Sequence, residues 1–132
     1  AQSVFAVFAT DVDGDGDVDV LSASIDDDTV AWYENQTPSP TPRPTVPAPT
    51  PRPTVLCASA TFSERVLTTL ADAAQSVFAV DVDGDGDVDA LSASAGDDTV
   101  AWYENDGSQS FTERIISNSA NGARSVFAID VD

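Results

Sequence analysis

The strongest constraint on this chain is a nine-residue stretch, Asp11-Val-Asp-Gly-Asp-Gly-Asp-Val-Asp19, that recurs without a change as Asp81 to Asp89. Such self-similarity means that the chain is built of repeats, each one a small supersecondary unit. The flanks repeat as well. Leu21-Ser-Ala-Ser24 matches Leu91 to Ser94, and Asp27-Asp-Thr-Val-Ala-Trp-Tyr-Glu-Asn35 matches Asp97 to Asn105. Phe62-Ser-Glu-Arg-Val66 is echoed by Phe111-Thr-Glu-Arg-Ile115, and Ser125-Val-Phe-Ala-Ile-Asp-Val-Asp132 opens a third copy.

Asp83 and Asp132 are 49 residues apart, whereas Asp13 and Asp83 are 70 apart. The difference of 21 lies between Asn35 and Phe62, where 26 residues stand in place of the 5 between Asn105 and Phe111. The period is therefore about 49 residues, and the first copy carries an insert. The expected layout is repeat 1 over 1–35, the insert over 36–61, the rest of repeat 1 over 62–74, repeat 2 over 75–123, and the start of repeat 3 over 124–132. The insert holds all 8 prolines of the chain, Pro38 to Pro53. Proline fixes φ and lacks an N–H, so this stretch predicts an extended, solvated polyproline-II loop. It reads as a surface loop, with a glycosylated or hydroxylated spacer or a ligand for a proline-binding domain as alternatives. The one cysteine, Cys57, lies beside it and has no internal disulfide partner.

Each unit reads as β throughout. In the second copy the pattern predicts strands over 76–81, 88–94, 99–105 and 111–116, separated by the acidic loop and by Gly-, Asp- and Asn-rich turns. No run has sustained helical periodicity. Four short antiparallel strands in 40–50 residues is the pattern of a β-propeller blade. The fold class expected is all-β: an open, partial propeller of about two and a bit repeats. Propellers usually need at least about four blades, so the chain alone would form an open arc with exposed blade faces, or associate with itself. One irregularity stands out. The first copy reads Val4-Phe-Ala-Val-Phe-Ala-Thr10 before its loop and the second Val77-Phe-Ala-Val80. This suggests three added residues, and so a bulge or a frayed, shifted first strand.

The charge pattern says what the loops want. The chain has 23 acidic and 5 basic residues, a formal net charge of −18. Nucleic acid and anionic membrane surfaces would repel it. No apolar run approaches the roughly 18–20 residues of a membrane span, so direct insertion is not expected. The acid is concentrated in Asp11, Asp13, Asp15, Asp17 and Asp19, and in Asp81, Asp83, Asp85, Asp87 and Asp89. Calcium takes six to eight oxygen ligands, and a short loop with alternate residues turned inward supplies them. Positions 1, 3, 5 and 9 (Asp11, Asp13, Asp15, Asp19 and their counterparts) would give carboxylates. Asp17 and Asp87 would give backbone carbonyls. Gly14, Gly16, Gly84 and Gly86 would let the chain coil, and Val12, Val18, Val82 and Val88 would anchor the loop to the sheet. Held together with no cation, these carboxylates would repel. Magnesium prefers strict octahedral geometry and keeps its waters, and zinc lacks its ligands, with no His and a single Cys outside both loops.

An EF-hand would need Glu at position 12, which here is Ser22 or Ser92. Dockerin and thrombospondin-type repeats would need a different spacing, a helix or many cysteines. The Asp-x-Asp-Gly-Asp-Gly-x-x-Asp loop, with its Ser-Val-Phe-Ala, Leu-Ser-Ala-Ser and Ala-Trp-Tyr-Glu-Asn flanks, resembles the FG-GAP and VCBS repeat family. The resemblance covers nearly all of the chain outside the proline-rich insert. It implies a calcium-stabilised β-propeller like the integrin α-subunit head, in extracellular or cell-surface proteins.

The resulting expectation is a non-enzymatic, calcium-binding scaffold that displays loops for adhesion or ligand binding, its partner a protein or a glycan. A carbohydrate-binding module attached to a larger secreted protein or enzyme is the alternative, with Trp32-Tyr33 and Trp102-Tyr103 as sugar platforms; a rigid spacer is a third. The plainer reading of those aromatics is packing between blades. Catalysis has little to draw on, since His is absent and the clustered carboxylates are committed to the loops. Glu64-Arg65 and Glu113-Arg114 read as edge ion pairs. Asp26, Asp27, Asp28, Asp97 and Asp98 read as turn residues, with a secondary ion contact as the alternative. Asn35-Gln-Thr37 is an N-glycosylation sequon whose use the following Pro38 should lower. The chain begins without Met and stops inside a motif, which reads as a fragment of a longer protein.

Overall fold

Alternating apolar residues separated by turn-forming Asp and Gly give the chain eight short strands. The computed structural model describes residues 3–37 and 59–131. The strands are β1 (Val4–Thr10), β2 (Asp19–Ser24), β3 (Thr29–Asn35), β4 (Phe62–Thr68), β5 (Ala74–Val80), β6 (Asp89–Ser94), β7 (Thr99–Asn105) and β8 (Phe111–Ser117). They form two sheets, β1-β2-β3-β4 and β5-β6-β7-β8, in which every neighbouring pair is antiparallel. Each sheet is an up-and-down meander, as expected for a propeller blade, and the two do not close into a ring. No helix occurs among the described residues.

The registers of the two blades are the same. Phe8 faces Leu21 and Phe78 faces Leu91; Leu21 faces Trp32 and Leu91 faces Trp102. The first strand is shifted, as its three extra residues suggested. Counted back from the loop, Val4 stands where Ala74 stands, and both strands have seven residues. Ala1 to Val7 is identical to Ala74 to Val80, so Phe8, Ala9 and Thr10 are the three added residues. The strand takes them in by shifting, and Val4, the sequence counterpart of Val77, pairs where Ala74 does. A register shift does occur between Val4 and Ala6, but its twin lies between Ala74 and Ser76. The bulge therefore belongs to the blade rather than to an insertion. The pattern also placed the start of β5 two residues too late, at Ser76 rather than Ala74.

A single sheet has two faces and can bury neither alone, so the blades stack. We call the face turned toward the next copy in chain order the front, and the opposite face the back. The front of the first blade lies on the back of the second. Trp32 and Tyr103, each 1% exposed, fill this seam with Leu21, Val30, Val77 and Ala90. Trp32 meets Phe111 edge-on, with ring centroids 5.8 Å apart. The Tyr103 hydroxyl is 3.2 Å from Ser92 Oγ, and burial pushes its pKa up to about 12. Along the first strands Phe8, Phe78 and Phe127 form a ladder with ring centroids 5.0 and 4.9 Å apart. Phe127 belongs to the third copy, which rests on β5 and donates Val126 N–H to Ser76 Oγ at 3.2 Å.

The ion pairs run across strands, not along them. Arg65 bonds Glu34 at 2.6 Å and lies over Trp32; Arg114 pairs with Glu104 and lies over Trp102. Successive strand residues point to opposite faces, so Glu64 and Arg65 cannot pair. Glu64 instead accepts the Tyr33 hydroxyl at 3.1 Å. The β2–β3 turn does more than bend the chain. Asp28 and Asp98 have φ of 54° and 57°. Their carboxylates accept Ala73 N–H at 2.9 Å and Gly122 N–H at 2.7 Å. Their carbonyls accept Ala71 N–H and Ala120 N–H. Each turn thus clamps the link to the next blade. The β3–β4 insert is closed at its base by Gln36 N–H to the Thr61 carbonyl at 2.7 Å, where Asp106 N–H to the Ser110 carbonyl closes the second blade. The polyproline-II expectation for Pro38–Pro53 and the reading of Cys57 lie outside the described residues.

Trp32→Ala is expected to cost about 3–5 kcal/mol, the range for deleting a large buried aromatic. Trp102→Ala, at the same register in the half-buried open face, should cost clearly less. Urea unfolding followed by far-UV circular dichroism compares the two, and equal losses would contradict the stacking described.

Candidate metal centre

Each acidic loop joins the first and second strands of its blade, and its carboxylates are tied down by backbone N–H groups. Asp11 takes Gly14 N–H on one oxygen at 2.7 Å and Gly16 N–H on the other at 2.9 Å. Asp81 does the same with Gly84 and Gly86 at 2.7 and 3.0 Å. This coil needs Gly16 and Gly86, whose φ of 96° and 101° would strain any residue with a Cβ. Asp13 accepts Asp15 N–H and Asp15 accepts Asp17 N–H, and Asp83 and Asp85 repeat both bonds.

Asp19 and Asp89 have a further role that spacing alone did not reveal. Both are 1% exposed. Asp19 accepts Val12 N–H at 3.0 Å on one oxygen and Asn35 N–H at 2.7 Å on the other; Asp89 accepts Val82 and Asn105 N–H at 2.9 and 2.8 Å. One carboxylate thus latches the start of the loop to the end of the third strand. Asn35 and Asn105 complete the latch by donating Nδ2–H to the Val18 and Val88 carbonyls at 3.2 and 3.1 Å. The sequon asparagine is therefore a structural residue. The only sequence signal for this pairing was that Asp19 and Asn35 recur together as Asp89 and Asn105.

Carboxylate oxygens of Asp11, Asp13 and Asp15 lie within 4.8 Å of one another, as do those of Asp81, Asp83 and Asp89. The structure thus gathers positions 1 and 3 in both loops, position 5 in the first and position 9 in the second. Asp17 and Asp87 are not in either group. Asp17 Oδ2 is buried without a hydrogen-bond partner, and Asp87 lies against Gly107, where its Oδ2 fills the space an added Cβ would need. Desolvation in the loop, followed by repulsion from Asp15, Asp19 and Glu34, pushes the Asp13 carboxyl above its ordinary pKa against the pull of Asp15 N–H. Asp83 is raised likewise, by desolvation and then by Asp85, Asp89 and Asp81. A loop that crowds negative charge in this way, offers only oxygen donors and leaves one buried carboxylate oxygen unpaired fits a hard divalent cation.

The valines split by face rather than all anchoring the loop. Val12 is 3% exposed and sits in the seam, and Val88 packs against the same core, whereas Val18 and Val82 are exposed. Val12 lies on a front and Val88 on a back that the other blade covers; Val18 and Val82 lie on the two faces it does not. The first loop also touches the next blade, through Gln109 Nε2–H to Asp13 Oδ2 at 2.9 Å and Asn105 Nδ2–H to the Val12 carbonyl at 3.5 Å.

Residues 81–132 match the profile of the FG-GAP-like repeat family. This stretch is similar to an FG-GAP-like repeat. It takes in the second acidic loop, β6 to β8 and the opening of the third copy. The first copy carries the same loop, the same aromatic strand and the same register. Nothing among the curated proteins or the solved structures matches the chain.

The latch can be separated from ion binding. Asp19→Asn replaces one acceptor by a donor facing a buried N–H, and is expected to cost about 1–3 kcal/mol even in chelator. Asp15→Asn keeps the exposed Oδ1 acceptor used by Asp17 N–H and should leave stability in chelator nearly unchanged. Thermal unfolding of both variants in chelator is the measurement.

Proposed function

We propose that this chain is a calcium-braced FG-GAP-type repeat module of an extracellular or cell-surface protein, acting as a scaffold for adhesion or ligand binding rather than as an enzyme. The observation that carries the reading is the duplicated loop, which in each copy holds three carboxylates within 4.8 Å on a framework of inward N–H bonds. Asp11, Asp13, Asp15 and Asp19 would hold the ion in the first copy, and Asp81, Asp83, Asp85 and Asp89 in the second, with the Asp17 and Asp87 carbonyls completing the set. A bound calcium ion would supply charge neutralisation and a cross-link between loop ends. The chain's own contribution is a preformed coil, a buried latch at position 9 and, in the first blade, a contact from Gln109 that ties the loop to its neighbour.

The family supports the extracellular part of the reading, since FG-GAP repeats occur typically in extracellular proteins. Among the described residues no helix is long and apolar enough to cross a membrane. A glycan platform on the aromatic strand draws less support. Trp32 and Tyr103 are buried in the seam, which leaves only Tyr33 and Trp102 on open faces, the latter beneath Arg114. Ligand binding is better assigned to the loops.

Isothermal titration of the chelator-treated chain with calcium should give two equivalents. Saturation at a hundredfold above Kd should add about 2.7 kcal/mol of stability per site, and chelator should reverse it. Asp83→Ala should remove one equivalent. A chain that binds no calcium, or binds it with no gain in stability, would overturn the proposal.

A further inference from the structure

The two blades have the same aromatic strand, yet opposite members of it are buried. Trp32 is sealed on the front of the first blade and Tyr103 on the back of the second. Their counterparts Trp102 and Tyr33 are only half-buried. The two backs follow suit, whereas on the fronts Leu91 (3% exposed) and Ala93 (0%) beside Trp102 are as buried as Leu21 and Ala23 beside Trp32. On the back of the second blade Val77 is 6% and Ala90 0% exposed, while on the back of the first blade Val7 is 63%, Phe62 50% and Val18 56% exposed. Val20, Tyr33 and Phe62 line an open apolar hollow there. Their counterparts are Ala90, Tyr103 and Phe111, and in the second blade these receive the Trp32 face of the first. The hollow is thus a socket whose ligand is already visible within the molecule: the front of a blade carrying this same tryptophan.

We propose that the chain associates head to tail with a second copy, the Trp102 face of one molecule seating on the Val20–Tyr33–Phe62 face of the other. The inference is independent of the calcium reading, since it rests on the seam rather than on the loops. The established front-to-back interface supplies both halves of the contact. Asn35 stands where Asn105 reaches across the seam to the Val12 carbonyl, so it is placed to reach the Val82 carbonyl of the partner. The segment over 125–131 occupies the place that the incoming β1 needs. It is in no strand, with Phe127 68%, Ile129 70% and Val131 89% exposed, and it competes with the second copy for β5. A front-to-back contact of this kind is heterologous, so it closes as a ring or grows as an open fibre.

Electrostatics sets a clear expectation. Each copy carries a net charge of −18, so association is opposed by repulsion and driven by apolar burial. Salt at about 1 M, where the Debye length is about 3 Å, should strengthen it. The test is sedimentation velocity of the full chain over a range of concentrations at low and high salt. The wild type should form oligomers that grow with concentration and salt. Phe62→Asp and Trp102→Asp should each be monomeric, with association weakened about tenfold or more. An equimolar mixture of the two should form a dimer that grows no further, because one molecule keeps its socket and the other its tryptophan. Phe127→Ala, which removes the ring packed on Phe78 and so loosens the segment's hold on β5, should strengthen association. Circular dichroism checks the fold of each variant, and Phe62→Ser and Trp102→Ser replace any Asp variant that loses its β spectrum. A wild type that stays monomeric at high salt, an oligomer indifferent to both faces, or a mixture that fails to pair would overturn the proposal.

Discussion

The stacking of one blade's front on the next blade's back is the constraint on which everything else rests. The chain has few large aliphatic residues, and much of its apolar content is Ala and Val. A four-stranded sheet of such residues has little to bury by itself. When two sheets lie together, Ala23, Ala74, Ala90 and Ala101 become closely packed backbone surface, and Trp32 and Tyr103 supply the bulk. Small residues allow the sheets to approach, and the aromatics fill what remains. The turn carboxylates of Asp28 and Asp98 then hold each link at the distance this packing requires.

The acidic loops depend on the same stacking, though they lie at the blade ends. Val12 pins the first loop into the seam, and Gln109 and Asn105 reach it from the second blade. A cation held by the first loop would therefore stiffen the joint between blades as well as the turn within one. The buried Asp19 and Asp89 are the point of contact between these two systems. Each has both oxygens engaged by backbone N–H groups from the loop and from the third strand. Position 9 of the motif is thus part of the fold before it is part of any metal site.

Much of the fold and of the candidate site was legible in the sequence, because both are local. The Asp-Gly-Asp-Gly coil depends on positive φ and on N–H groups two to five residues away, so the nonapeptide contains nearly all that it needs. In the second blade the strand order followed from short turns, which force neighbours to pair, and the first blade repeats it despite the insert between β3 and β4. What escaped was non-local or depended on direction. The latch joins residues 16 apart, and the ion pairs cross between strands where adjacency in sequence suggested otherwise. The three added residues of β1 were visible in the sequence, but not that the strand would keep its length and register and let Val4 pair where Ala74 does.

Sequence by itself determined the repeat, the period, the coil of the acidic loops and the β character of this protein, since each of these is a property of a short stretch and its immediate neighbours. It could not distinguish Trp32 from Trp102, or Val12 from Val82, because the residues around each pair are nearly the same. Only the tertiary structure decided that one tryptophan is sealed in a seam and the other half-open. The reason is that burial on a stacked sheet is set by the neighbouring blade: the first blade's front and the second blade's back have one here, and the two outer faces do not.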